Sequence, residues 1–459
     1  MLLGKARLIE PLKKAARSSP ADETLLAAQR TSQTTLRFAG GRIHQNLHEE
    51  DLTLWVKVAC LPAGQLVGGG RVGVSATSSL KQESLRRAID SAVTIARLSG
   101  RQTAPAFSTR PPKEPTPAVA TYFPETVHRP LEETVSQIRS MWDRSHRAGM
   151  ELAGSFVAGE SELAVVGSGG LAQYQPFTAG GIRLVATRNG SSGFAAQAVR
   201  EIGRMDAESL LKRAWDFCRL NRNPKEIRMG RYNVLLEPEA VAELVEWLGA
   251  IGFGAKQMAD RTSFMTGRIG DQILDPKISI ADDGSDPRGL AVPFDMEGIP
   301  KQRVDLIRRG RAAGVVYDSH HARLYHRHST GHALAYDEIE GPLAGHLVVA
   351  PGKTPRKELL KKLDRGLWIT RFHYVNGLLN TQQALMTGLT RDGTFLVKDG
   401  KVAGAVKNLR FTESILEAFS RVIGVSDDPQ LVADPAQGFS SVVTPALLLR
   451  GFTFTGQTK

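Results

Sequence analysis

Six prolines, Pro105, Pro111, Pro112, Pro115, Pro117 and Pro124, fall within one short stretch of the first half of this chain. Proline fixes φ and lacks a backbone N–H, so neither a helix nor a central strand can run through them. Residues 101–128 therefore read as a linker or surface loop, with regular structure confined to either side. Ahead of it, Thr35–Asn46 alternates and turns at Gly40-Gly41, Leu52–Ala59 is a strong strand, and Gly68–Thr77 is a strand approached through glycines. A helix follows from Leu80 to Leu98, with Leu85, Ile89, Val93 and Ala96 at helical spacing and Ser78 or Ser79 as its cap.

Beyond the prolines the order repeats. A helix at Leu131–Ala148 leads to strands at 151–158, 163–166, 172–177 and 181–188, closed by a helix at Ala207–Leu220. Strands then helix, twice over, suggests two related lobes. The polar run Asn221-Arg222-Asn223-Pro224-Lys225 marks a domain boundary. After it come one helix from Pro238 to Phe253, short strands, Asp-Gly hairpin turns at Asp392-Gly393 and Asp399-Gly400, a helix at Thr412–Ile423 and a last strand at Ala446–Thr455. The expected fold is α+β: N-terminal lobes of antiparallel strands plus helices, and a C-terminal, mostly antiparallel β domain with a few helices. The expected division is a basic helical leader over 1–30, an N-terminal domain over 31–222 and a C-terminal domain over 223–459.

A chain of 459 residues is too long for one compact core. Its two cysteines, Cys60 and Cys218, lie far apart, which excludes a disulfide framework and a cysteine-based zinc site. No window approaches a membrane span and no signal-peptide core follows the N-terminal basic residues, so a cytoplasmic protein without membrane contact is expected. The net charge of +12 is scattered and not interleaved with aromatic residues, which reads as a solvated basic surface, not a nucleic-acid site.

Several stretches, in order, resemble the TldD/PmbA family of modulator-type proteases. They are Phe38–His44, Gly73–Thr77, Arg231–Pro238, Gly267–Asp271, Pro293–Gly298 with Val304–Ile307, Ser329–Ala333, Gly377–Asn380, and Lys407–Phe419. The resemblance implies two-fold assemblies, often of two different family members, that enclose a chamber where unfolded peptides are cut. It also implies that in the catalytic branch the helix after the first C-terminal strand carries His-Glu-x-x-x-His, whose histidines hold zinc together with a distant cysteine.

Metal hydrolysis needs two histidines on one helix face and a glutamate to polarise bound water. The corresponding helix here, Glu239–Phe253, contains no histidine; Glu239, Glu243 and Glu246 read as a solvated face. The segment Arg371–Thr387, where the ligand cysteine is expected, has none. The chain thus resembles the PmbA-like branch, without catalytic or metal-ligating residues of its own. Zinc is expected in a related partner subunit, the chain being a heterodimer with that partner or a homodimer. Thr330, Gly331, His332, Gly377 and Asn380 are candidates to line the peptide groove. An alternative is a stand-alone metallopeptidase built on the His320–His332 cluster, with His326 and His328 on one side of a strand and His332 nearby. A third is a non-enzymatic, peptide-binding homo-oligomer.

Overall fold

The computed structural model describes residues 2–61, 70–100 and 107–457. The Gly68-Gly69 approach and the start of the proline segment, Pro105 included, lie outside the described residues.

The first half is one antiparallel sheet. Helix α1 (Lys5–Arg17) leads into β1 (Glu23–Ala39), β2 (Arg42–Cys60) and β3 (Arg71–Thr77), then α2 (Gln82–Leu98), α3 (Glu125–His128) and α4 (Leu131–Arg147). Next come β4 (Glu151–Gly167), β5 (Ala172–Arg188), β6 (Ser191–Val199) and α5 (Ala207–Leu220). The strand order is β3-β2-β1-β4-β5-β6. Gly40 and Gly41, at φ 55° and 76°, supply the left-handed turn that a tight β1–β2 hairpin requires.

The period of two assigns the faces. Leu26, Ala28, Leu36 and Phe38 of β1 point to the helices, packing under α1 and α2 at one end and under α4 and α5 at the other. Leu25 and Ala27 point the opposite way, into a cluster shared with Phe294 of the second half.

Four expectations are corrected here. The leader is shorter than 1–30, because α1 ends at Arg17 and Glu23 already pairs with Ala59. The two lobes are not separate, since β1 pairs with β4 from Leu25 to Phe38 and joins both strand groups into one sheet. The strands at 151–158 and 163–166 are one, as are those at 172–177 and 181–188. The described part of the proline segment is no free linker. Thr109 accepts a hydrogen bond from the Leu171 N–H, and Thr121 accepts one from the Thr178 N–H.

The second half opens with β7 (Gly230–Leu236), α6 (Pro238–Gly252) and α7 (Ala255–Ala259). It continues through β8 (Ile280–Asp282), β9 (Val304–Arg308), β10 (Arg311–Ala312), α8 (Ser319–Leu324), β11 (His346–Val349) and α9 (Arg356–Leu363). Then follow β12 (Gly366–Asn380), β13 (Leu385–Lys398), β14 (Lys401–Ala405), β15 (Leu409–Ser414), α10 (Ile415–Phe419), β16 (Val422–Val425), β17 (Gln430–Val432), β18 (Ser441–Thr444) and β19 (Leu447–Gln457). Strands β12-β7-β19-β15-β13 form a ring, because β12 also pairs with β13. Phe372, Phe411 and Phe452 pack together in it, with ring centroids 4.7 Å and 5.4 Å apart along that chain of contacts. Closure leaves the ring no free edge. A second sheet runs β10-β9-β8-β11-β18-β17.

Two local readings change. Thr412–Ile423 is a strand end, the short α10 and the start of β16, since Phe411 and Glu413 belong to the β13–β15 ladder. Asp392-Gly393 is not a hairpin turn: β13 runs straight through it with a bulge, the two residues at φ 56° and 156°. Asp399-Gly400 is the real turn, from β13 to β14. Among the described residues, no helix is long and apolar enough to cross a membrane.

Candidate functional site: the cleft beside α6

Pro238 occupies the first turn of α6, where its missing N–H costs nothing. The helix is wedged between β12 and the sheet of β11 and β18, so it is apolar almost all round. Within it only Glu239, Glu243, Glu246, Trp247 and Ala250 are not buried, and their spacing places them on one open stripe. Facing the stripe is β12. A Cβ on Gly377 would stand 2.5 Å from the Trp247 ring, so glycine is what allows the strand this close. Arg371, further back on β12, donates from Nε to Asp392 Oδ2 at 2.9 Å, and its guanidinium lies 4.1 Å from the Phe194 ring centroid. The Ser192 hydroxyl donates to Asp392 Oδ1 at 2.6 Å. Ser192 and Phe194 lie on β6, so the edge of the first sheet forms one wall.

Charges in the cleft are largely paired. Arg213 of α5 contacts Glu239 at 3.1 Å and Glu237 at 3.3 Å, and Arg356 contacts Glu237 at 3.0 Å. Arg183 of β5 pairs with Asp434 at 3.0 Å. Glu243 and Glu246 make no direct ion pair among the described residues, and burial raises both carboxyls. Glu243 is the more strongly shifted. Burial, with the like charge of Glu246, pushes its carboxyl up to about 7 although Arg371 and Arg183 pull the other way. Near neutral pH it can therefore accept from a peptide N–H when ionised or donate to a carbonyl when protonated. His373, two residues beyond Arg371 on β12, is held below the ordinary imidazole range by burial and by Arg391 and Arg371. Next to it Tyr374, 77 % exposed, sits at φ 51° in a bulge of β12. A left-handed tyrosine is a strained conformation that a fold must enforce.

These groups do not fit zinc. The open stripe offers carboxylates without imidazole or thiolate, Glu239 is engaged by Arg213, and Glu243 is half protonated near neutral pH, whereas zinc sites take deprotonated N, S and O ligands. Among the described residues, no three His, Cys, Asp or Glu side chains are grouped so as to hold a metal ion.

The residues expected from the sequence divide between places. Gly377 lies in the cleft, against Trp247. Asn380 ends β12, where its side-chain carbonyl accepts from the Gln383 N–H at 3.1 Å. The Thr330–His332 segment is elsewhere and largely inside the protein. His332 Nε2 donates to the fully buried Asp282 at 2.8 Å, and Thr330 bridges to Tyr317, so His332 belongs to the core and is not a groove lining. The strand meant to align His326 and His328 does not form. His326 has φ 51°, both side chains are exposed, and His332 is buried away from them. His321 is tied to Asp318 at 2.8 Å at the start of α8. Glu243 reads in sequence as part of a solvated face, and Arg371, His373 and Tyr374 carry no motif; the one available signal is an Arg-Phe-His-Tyr run and a Glu-x-x-x-Glu helix.

Glu243 gives a pH signature. Its folded carboxyl titrates above the unfolded one, so the fold holds the extra proton. The stability that Glu243 contributes is greatest below the ordinary carboxylate range and falls as pH rises from about 4.5 to about 7. Glu243→Gln should reduce that decline, with melting temperatures across this window as the measurement; the buried Asp295, pushed up to about 7 by burial and by Glu297, contributes the rest. A parallel decline in the variant assigns the effect to another group.

Residues 229–456 match the family described as PmbA/TldA metallopeptidase C-terminal domain, and residues 26–96 match PmbA/TldA metallopeptidase domain 1. A metalloprotease TldD homolog from Buchnera aphidicola is 28% identical over 223 residues, 47% of this chain and 45% of that protein. Metalloprotease PmbA from Escherichia coli O157:H7 is 24% identical over 233 residues, 50% of this chain and 48% of that protein. The matches thus span about half the length of these relatives. In structure, TldE from Thermococcus kodakarensis superposes with a TM-score of 0.85 at 19% identity, over 97% of this chain and 100% of that one. With both domain matches in order along one chain and the fold shared end to end, this protein belongs to the PmbA/TldD metallopeptidase family.

Proposed function

We propose that the chain is a non-zinc subunit of a PmbA/TldD-type peptidase assembly, acting in the cytoplasm. It pairs with a zinc-bearing relative and contributes a peptide-holding wall to a shared chamber. The observation that carries this reading is the open stripe of α6. On the helix where the family's catalytic branch carries its zinc motif, this chain presents Glu239, Glu243, Glu246 and Trp247, two of them set against arginines.

In this role the chain binds and orients substrate, and the partner's metal supplies the hydrolytic water. Trp247 and the exposed Tyr374 offer apolar surface to side chains, while Glu243 can exchange hydrogen bonds with a peptide backbone. Recognition through the main chain tolerates many sequences, which suits unfolded substrates.

The test is metal analysis of the purified chain. Zinc well below one equivalent per chain after exposure to zinc and gel filtration is expected. One tightly held equivalent contradicts the reading.

A further inference from the structure

The seam between the two halves encloses a cavity of about 170 Å³, remote in sequence from the α6 stripe. A cavity of roughly 150 Å³ is enough to hold a benzene ring. Its apolar wall includes Phe177 from β5, and Phe294 and Phe439 from the second half, with the Phe177 and Phe439 rings 4.8 Å apart.

The polar wall is unusual in what it leaves open. Lys301 Nζ lies 3.1 Å from His346 Nδ1. An ammonium can only donate, so Nδ1 is the acceptor and the imidazole carries its proton on Nε2. Burial and the neighbouring Lys301 charge push this histidine down to about 3, consistent with a neutral ring. His346 is 8% exposed, and its Nε2 makes no well-formed hydrogen bond among the described residues, the Leu290 backbone being the one group that acts on the ring as an acceptor. Lys301 makes no direct ion pair among them; the carboxylate of Asp282 feels its charge, but Asp282 accepts from His332 and from the His346 N–H, not from Lys301. A buried donor left unmade costs free energy, so such a group invites a ligand acceptor.

The acidic side chains on the same wall are already occupied. Asp295 accepts from the N–H groups of Glu297, Ile299 and Ala333. Glu162 accepts from the N–H groups of Leu3 and Gly4 and from the Tyr174 hydroxyl. The cavity therefore presents two donors with unused hydrogen-bonding capacity, one of them cationic, at one end and aromatic rings at the other.

We propose that this cavity binds a small monocarboxylate with an apolar body, its carboxylate on Lys301 Nζ and His346 Nε2 and its body among Phe177, Phe294 and Phe439. The charge-assisted contact supplies orientation, and the rings supply burial.

Benzoate is a suitable probe, with benzyl alcohol as its uncharged counterpart, in calorimetric titrations of the full chain. Saturable one-to-one binding of benzoate is expected, with benzyl alcohol at least about tenfold weaker. Lys301→Met should weaken benzoate by a similar factor. Ala333→Leu, which fills the cavity and touches neither donor, should abolish binding while the variant still melts cooperatively. Should Lys301→Met fail to fold, Ala333→Leu decides alone. Equal affinity for the two probes, benzoate binding unchanged in Ala333→Leu, or no benzoate binding at millimolar concentration overturns the proposal.

Discussion

Glu237→Ala is expected to destabilise the protein by about 3–5 kcal/mol, the usual cost of removing one member of a buried charged cluster. Glu237 is 2% exposed at the mouth of α6. One carboxylate oxygen receives Arg213 and Arg356, and the other accepts from the Trp368 indole N–H at 2.8 Å. The side chain thus ties α5 of the first half, α9 and β12 to the start of the cleft helix. Truncation leaves two partly buried guanidiniums short of a partner and one indole N–H unsatisfied. Glu237→Gln should fall between wild type and alanine, since an amide can still accept from Trp368 but cannot balance the arginines. Denaturant unfolding of the three proteins is the measurement, and a loss below about 1 kcal/mol in the alanine variant would mean that the cluster is solvated and contributes as surface pairs do.

The second large effect lies at Asp282. Burial raises its carboxyl, but His332 and Lys301 beside it outweigh burial and hold it below the ordinary carboxylate range. It accepts from His332 Nε2 and from the His346 N–H, both at 2.8 Å. Asp282→Ala removes both acceptors at a fully buried position and should cost about 3 kcal/mol or more. Because β8 sits between β9 and β11, the loss should appear as faster hydrogen exchange across those strands before the ring of β12 and β13 responds. Uniform loss of protection throughout the second half would instead make the two sheets one cooperative unit.

What could be read from the sequence follows from the range of each signal. Periodicity is local, so α2, α4, α5 and α6 fall within a residue or two of their expected bounds. The absence of histidine from α6 is equally legible, because composition needs no fold. Pairing is non-local, and there the sequence misled. Nothing in 23–39 shows that β1 pairs on both sides and merges two supposed lobes into one sheet. Asp392-Gly393 carries a hairpin signature, yet β12 on one side and β15 further along hold β13 straight, and the glycine serves a bulge. The histidine cluster failed for a related reason. His326, His328 and His332 are close in sequence, but a left-handed turn at His326 separates them, and the carboxylate that captures His332 comes from fifty residues upstream. Glu243 reads as a solvated glutamate because the wall that partly buries it is built from β5, β6 and β12, distant in sequence.

In the proposed role the α6 stripe serves a partner's chemistry and has none of its own. Cleavage of an unfolded peptide tests it directly, by this chain alone, by a zinc-bearing relative with His-Glu-x-x-x-His on the corresponding helix, and by the two mixed. Peptidase activity far above that of either component is expected in the mixture, lost on chelation and regained with zinc. Equal, zinc-dependent cleavage by this chain alone would contradict that role.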